Sequence, residues 1–208
     1  MFYPKLNRVG EYKVKNDKSF YSYAYYRDVV EKDCLQRCVY CDVLLVEHAY
    51  EGMHLDHFRP QKHFKELASD PRNLVLTCPK CNRLKSCHWP CDKDPAKPPH
   101  DNKNGFVDPF SEDIKEYIRV EDNGMLQSLK GPAPYFITLL KLNRESRIQI
   151  RRRRIINLRK NKVMNKLLAM SDELIDLLIS QGITRDAAIQ RKNEINIIKH
   201  ELEVLDDI

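Results

Sequence analysis

The chain has 208 residues, with 36 Lys/Arg against 30 Asp/Glu and a formal charge of +6. That length allows one large domain or a small domain with an appendage, and no apolar run reaches the ~20 residues that a bilayer span requires. Seven cysteines, four of them in two C-x-x-C pairs, argue against a disulfide framework and for metal binding in a reduced compartment.

The first residues, Met1 to Lys5, contain no apolar signal core, so a cytoplasmic location is the expectation. Residues 20–33 read as a helix, with Tyr21, Tyr25 and Val29 at helical spacing. The tyrosine density there (Tyr21, Tyr23, Tyr25, Tyr26) reads first as packing against the rest of the protein. A base-stacking surface is the other reading.

A Cys-rich segment follows at 34–91. Cys38-Val39-Tyr40-Cys41 opens it and Cys78-Pro79-Lys80-Cys81 closes it. Zinc prefers a tetrahedron of thiolates, and each C-x-x-C supplies one edge of that tetrahedron from a tight knuckle. Cys38, Cys41, Cys78 and Cys81 are therefore the expected ligands of a structural zinc. The 36 residues between Cys41 and Cys78 exceed the spacing of a simple zinc ribbon, so something is inserted. Cys34, Cys87 and Cys91 are left over, either as half of a second metal site or as small apolar thiols.

The insert contains His54-Leu55-Asp56-His57-Phe58-Arg59-Pro60, which reads as a strand entering a turn. Imidazole exchanges a proton with water near neutral pH, which suits His57 as a general base. Asp56 offers a hard oxygen of the kind Mg²⁺ or Mn²⁺ prefers. Asn73 and Asn82 each offer a carbonyl oxygen, one able to orient an imidazole N–H and the other to ligate a metal.

Residues 92–131 read as a Pro/Asp/Asn-rich loop and then a β-hairpin, Ile114–Val120 with Met125–Leu129 around Asn123-Gly124. From 132 to the end the pattern is helical. A long basic helix spans 143–170, Ser171 caps a helix ending at Gly182, and Thr184 caps one reaching about Leu205. Residues 143–166 hold ten Lys/Arg against Glu145 alone, whereas 167–208 are acidic. Arg144, Arg147, Arg151 and Arg154 share one helical face, and Arg152, Arg159 and Lys166 share another. Such a block attracts a nucleic-acid backbone, the acidic C-terminal helix or an acidic partner subunit.

Cys38-x-x-Cys41, Leu55-Asp56-His57-Phe58-Arg59-Pro60, Asn73-Leu74-Val75-Leu76-Thr77-Cys78 and Cys81-Asn82-x-x-Lys85 together resemble the HNH endonucleases. The resemblance implies a ββα-metal finger stapled by the Cys₄ zinc site, and with the β-hairpin and helices read above the chain is expected to be α+β, with a further β-hairpin and a C-terminal helical region. The segments are then 1–33 (N-terminal helical), 34–91 (nuclease core with zinc), 92–131 (loop and hairpin) and 132–208 (helical region with the basic helix). It implies metal-dependent phosphodiester hydrolysis with His57 as general base, Asn73 orienting it, and Asp56 and Asn82 on Mg²⁺ or Mn²⁺. Asn82 stands where the family name has its final His, which favours those hard ions over Zn²⁺ or Ni²⁺.

Arg59, Lys62 and Lys85, with Arg147, Arg151 and Arg154 of the basic helix, are the expected phosphate contacts. The small HNH layout with a helical tail also resembles the nuclease subunits of bacterial anti-phage systems such as the Septu type, which works beside an ATPase. DNA is the expected substrate. An RNA endonuclease, acting for example on tRNA, and a non-catalytic zinc module that binds nucleic acid or a partner are the alternatives.

Overall fold

The structure, a computed structural model, describes residues 2–8, 10–48 and 52–206. The chain divides into two compact units, Met1–Ile150 and Arg151–Ile208.

In the first unit the predicted 20–33 helix is split. Tyr23–Tyr26 forms a 3₁₀ turn, and only Arg27–Asp33 (α1) is α-helical. Tyr26 is the reason: its ring is buried and its hydroxyl donates to Lys13 O at 2.7 Å, so the first turn is tightened toward that anchor. Strand β1 (His54–His57) pairs antiparallel with β2 (Leu74–Thr77), in the register His54↔Thr77 and His57↔Leu74. β2 is buried along its whole length, as its unbroken Leu-Val-Leu-Thr sequence requires. Pro79, already fixed near helical φ, starts α2 (Pro79–Lys85) directly after Cys78. The order β1–β2–α2 is the expected ββα finger.

Around it lies a core of Val30, Leu74, Leu76, Phe64, Phe106, Leu140 and Leu142. Trp89 meets Phe64 edge-on at 5.2 Å and stacks on Phe106 at 6.2 Å. The second hairpin is shorter than predicted: β3 is Ile118–Val120 and β4 is Leu126–Ser128. Residues Ile114–Glu116 are a 3₁₀ turn instead, because the Asp113 carboxylate accepts the Lys115 N–H at 3.0 Å and curls the chain before pairing begins. Gly124 supplies the positive φ, +82°, that the hairpin turn needs. Helix α3 (Ala133–Leu139) packs onto β4, and α4 starts at Glu145.

Helix α4 runs unbroken from Glu145 to Ile179, so the predicted cap at Ser171 does not exist. The Ser171 hydroxyl donates to Leu167 O at 2.8 Å, one turn back, and is satisfied inside the helix. The true stop is at Gln181, which takes the left-handed φ of +53°, while Gly182 N–H closes on Leu177 O at 2.9 Å. In the second unit the rest of α4 is followed by α5 (Arg185–Asp206), whose Ala187 N–H is accepted by the Thr184 hydroxyl, as expected of an N-cap. α5 folds back on α4, with Arg191 Nη2 3.4 Å from Glu173 Oε1. No helix among the described residues is long and apolar enough to cross a membrane.

Candidate active site

Cys38 and Cys41 come from a knuckle that follows α1, and Cys78 and Cys81 from the junction of β2 with α2. The first knuckle is closed by Asp42 N–H to Cys38 O at 2.9 Å and braced by an Arg37–Asp42 ion pair at 2.7 Å. All four sulfurs are buried and lie within 4.8 Å of one another, with Cys41 and Cys78 at 3.7 Å. A zinc tetrahedron with ~2.3 Å bonds has an edge of about 3.8 Å, so this donor set fits zinc. Hydrogen bonding from Cys38, then from the other two thiols and Arg147, holds the Cys78 thiol far below its ordinary value, whereas burial pushes Cys38 up. Four thiolates around one Zn²⁺ leave a net negative charge on the cage.

That charge is met by the start of α4. Arg144 Nη2 lies 3.9, 3.7 and 3.8 Å from the sulfurs of Cys41, Cys78 and Cys81, and Arg147 Nη2 lies 3.5 Å from Cys78. Arg147, expected at a phosphate, is 7% exposed and its guanidinium is turned onto the cage. Despite burial, which opposes it, the Cys41 and Cys78 sulfurs hold this guanidinium more firmly protonated than usual. Truncating it leaves a buried thiolate charge short of its partner. Arg147→Ala is expected to lower unfolding free energy by about 3 kcal/mol and to speed zinc loss to a colorimetric chelator. Unchanged melting and release would remove the arginine from this role.

Cys34 is a separate, structural thiol. It is fully buried, accepts the Leu76 N–H at 3.3 Å, and burial pushes it up to about 12. Cys91 donates to Asn104 O at 3.5 Å. Among the described residues only Cys38, Cys41, Cys78 and Cys81 form a metal-sized cluster of His, Cys, Asp or Glu.

On β1, alternation places Asp56 and His54 on one face and His57 on the other. His57 Nε2 sits 2.8 Å from Ala68 O. With the proton on Nε2 donated to that carbonyl, the Nδ1 lone pair is left to accept a proton. Ala68 belongs to the loop joining β1 to β2, and Asn73 holds that loop. Its Oδ1 accepts from Arg59 N at 2.8 Å, and its Nδ2 donates to Arg59 O at 2.9 Å and Leu67 O at 3.4 Å. Asn73 thus sits one step from the imidazole, bracing the carbonyl's loop.

The Asp56 side chain is 11% exposed beneath Tyr40 and Lys85: its Oδ2 is 3.1 Å from Lys85 Nζ and accepts from the Tyr40 hydroxyl at 3.3 Å. Lys85, expected at a phosphate, is fully buried and also donates to His57 O at 2.7 Å. It is a brace between the last turn of α2 and β1. Asn82 donates from Nδ2 to His54 Nδ1 at 3.2 Å. The Oδ1 atoms of Asp56 and Asn82 accept no hydrogen bond among the described residues, so both oxygens fit a hard divalent ion in chemistry. His54, which was not among the residues expected from the sequence, is brought to Asn82 by the H-x-D spacing on the strand. A cleft of about 470 Å³ opens beside it, lined by His54, Pro79, Asn82, Arg83 and Ser86.

Burial pushes the Asp56 carboxyl above the ordinary aspartate value of 3.8, despite Lys85. A raised carboxyl contributes stability that is complete below 3.8 and is lost as pH rises through the folded value. At neutral pH the charged carboxylate is therefore a cost that Lys85 offsets. Lys85→Met is expected to destabilise by about 3–5 kcal/mol at neutral pH, and the penalty should shrink as acid protonates Asp56. Combining it with Asp56→Asn should restore most of the loss. Denaturant titrations across pH check both signs.

The remaining expected phosphate contacts are dispersed. Arg59 lies over Trp89 at 5.1 Å and donates to Lys97 O at 2.8 Å, and Lys62 is exposed. In the second unit Arg151 is 2% exposed and Arg154 half-buried, while Arg152, Arg159 and Lys166 of the other helical face are exposed. Beside the cage, Lys80, Arg83, Arg144 and Arg147 line a groove of about 400 Å³ with His48, Pro79 and Ser146. Pro79 and Arg83 line both this groove and the His54 cleft.

Residues 38–93, the segment holding the cage, the ββα finger and His57, match the family model described as HNH endonuclease. Over a longer stretch the chain is similar to the Septu protein PtuB of Bacillus thuringiensis, at 24% identity over 159 residues. That match takes in 76% of this chain and 56% of the relative, so the chain spans little more than half of the relative's length. No solved structure matches significantly.

Proposed function

We propose that the protein is a metal-dependent endonuclease that hydrolyses phosphodiester bonds in DNA, working in anti-phage defence beside a partner ATPase. The observation that carries the reading is the His57–Ala68 hydrogen bond, which leaves one imidazole nitrogen ready to take a proton in a domain of the HNH family. Zinc in the four-cysteine cage is structural in this reading, because the cage is closed. Asp56 and Asn82, with His54 beside Asn82, would hold Mg²⁺ or Mn²⁺, which when bound supplies positive charge against the phosphate and its leaving oxygen.

The chain's own residues do the rest. His57 Nδ1 takes the proton from a water whose oxygen attacks phosphorus, and the P–O3′ bond breaks. The Ala68 carbonyl keeps the ring from turning. Asn73 fixes the loop that carries this carbonyl. Lys85 and Tyr40 hold Oδ2 of Asp56 and so aim its other oxygen. Lys80 and Arg83, exposed or half-exposed, steer the strand by its phosphates.

The defence role rests on the Septu relative. The test is cleavage of DNA and RNA substrates by the purified chain with Mg²⁺ or Mn²⁺, beside His57→Ala and with and without the ATPase. Failure of the wild type under every condition would sink the reading, and RNA-only cleavage would move it to the RNA endonuclease.

A further inference from the structure

One aromatic side chain stands beside the candidate general base without a part in the scheme above. Tyr23 meets the His57 ring edge-on, with centroids 5.8 Å apart and planes at 63°. It is 50% exposed, although an aromatic ring of that size gains most from burial. Its direction is set by the fold. Tyr23 and Tyr26 are three apart in a 3₁₀ turn, a spacing that puts their side chains in one row. Tyr26 is locked into the core by its bonds to Lys13 O and Tyr21 N, at 2.7 and 3.0 Å, and by edge contacts to Tyr12 and Phe20. With Tyr26 pinned, Tyr23 is presented at the site on a rigid turn, and one half of its surface remains open to solvent. The other tyrosines do not share this place: Tyr21 and Tyr25 are stacked on each other at 4.2 Å.

We infer that Tyr23 is a nucleobase-stacking residue, holding the base next to the scissile phosphate in an unpaired, turned-out position while His57 acts. This rests on the nuclease reading and adds the substrate class: strands with single-stranded character at the cut. A base has a π-face whatever its identity, so the contact selects strand structure and tolerates any sequence. A fully paired duplex would have to unstack a base first, at a cost the enzyme must supply.

The experiment compares wild type, Tyr23→Phe, Tyr23→Leu and Tyr23→Ala on single-stranded and duplex 20-mers of DNA and of RNA. Binding is read by fluorescence anisotropy without added Mg²⁺ or Mn²⁺, and kcat and KM with Mn²⁺. Stacking on one base accounts for roughly 5- to 150-fold in affinity. Tyr23→Ala and Tyr23→Leu should lose about tenfold or more in binding and KM on single strands, with kcat changed less, while Tyr23→Phe stays near wild type. Duplex should bind and react more weakly than single strand with the wild type, and the Ala and Leu losses should be smaller there.

The leucine variant keeps the apolar packing without the π-face. If it matches wild type, or if the loss falls on kcat alone, stacking is overturned while the nuclease stands. A wild-type preference for duplex also overturns it. If wild type neither binds nor cuts any oligonucleotide, both this inference and the nuclease reading fall. The DNA and RNA arms identify which strand occupies the site.

Discussion

Cys78→Ser is expected to cost the first unit its zinc and its fold. Cys78 sits at the centre of the charge network: it lies 3.7 Å from Cys41 and within reach of both Arg144 and Arg147. A structural zinc supplies about 10–16 kcal/mol of apparent binding energy at neutral pH, all of it coupled to folding. That equals or exceeds the ~5–15 kcal/mol by which ordinary domains are stable. The cage also ties the β2–α2 junction to the knuckle after α1, where Val39 N–H donates to Leu76 O at 3.0 Å. Without it, the four-residue β1–β2 pair keeps its core contacts but loses the tie at its Cys78 end. The measurements are zinc stoichiometry by atomic emission, expected at one per chain in the wild type, and far-UV circular dichroism on heating. A serine variant that keeps both its metal and its melting profile would show the cage to be dispensable.

His57→Ala carries the largest expected effect on catalysis, a fall of roughly 10²–10⁴-fold in kcat from losing general-base assistance. The fold should be spared, because His57 is only half-buried and its hydrogen bond is to a loop carbonyl. Zinc content and melting should therefore match wild type while cleavage disappears, and that separation is the informative outcome. Asn73→Ala acts one step further away. It should lower kcat less and loosen the 59–68 loop, because Asn73 touches Arg59 and Leu67 and not the imidazole. Cleavage by His57→Ala at the wild-type rate would remove this residue from the chemistry.

The parts that could be read in advance are those whose meaning is local. Two C-x-x-C pairs, an Asp-His on a strand and a later Asn keep their chemistry in any fold that brings the cysteines together, and the structure brings them together. The Asn-Gly turn was legible for the same reason, since glycine takes a positive φ freely and Gly124 does so at +82°. Ser171 shows the limit of that approach: a serine bonds to its own helix as readily as it caps a new one, and only the surrounding packing selects.

Lysines and arginines were the least legible. Lys85 and Arg147 looked like phosphate ligands because the sequence counts charges without stating which way they face. Folding turned Lys85 onto Asp56 and Arg147 onto Cys78, since a buried carboxylate and a buried thiolate cage each require a cation nearby. Residues far apart in sequence meet by the same logic, as Tyr23 meets His57 and Arg144 meets Cys41. The sequence by itself determined which atoms were available, namely four sulfurs, the His57 imidazole and the side-chain oxygens of Asp56 and Asn82. Only the tertiary structure decided which cations neutralise them and which aromatic stands beside the imidazole, because burial sets the charge balance of a site and spacing along the chain does not record it.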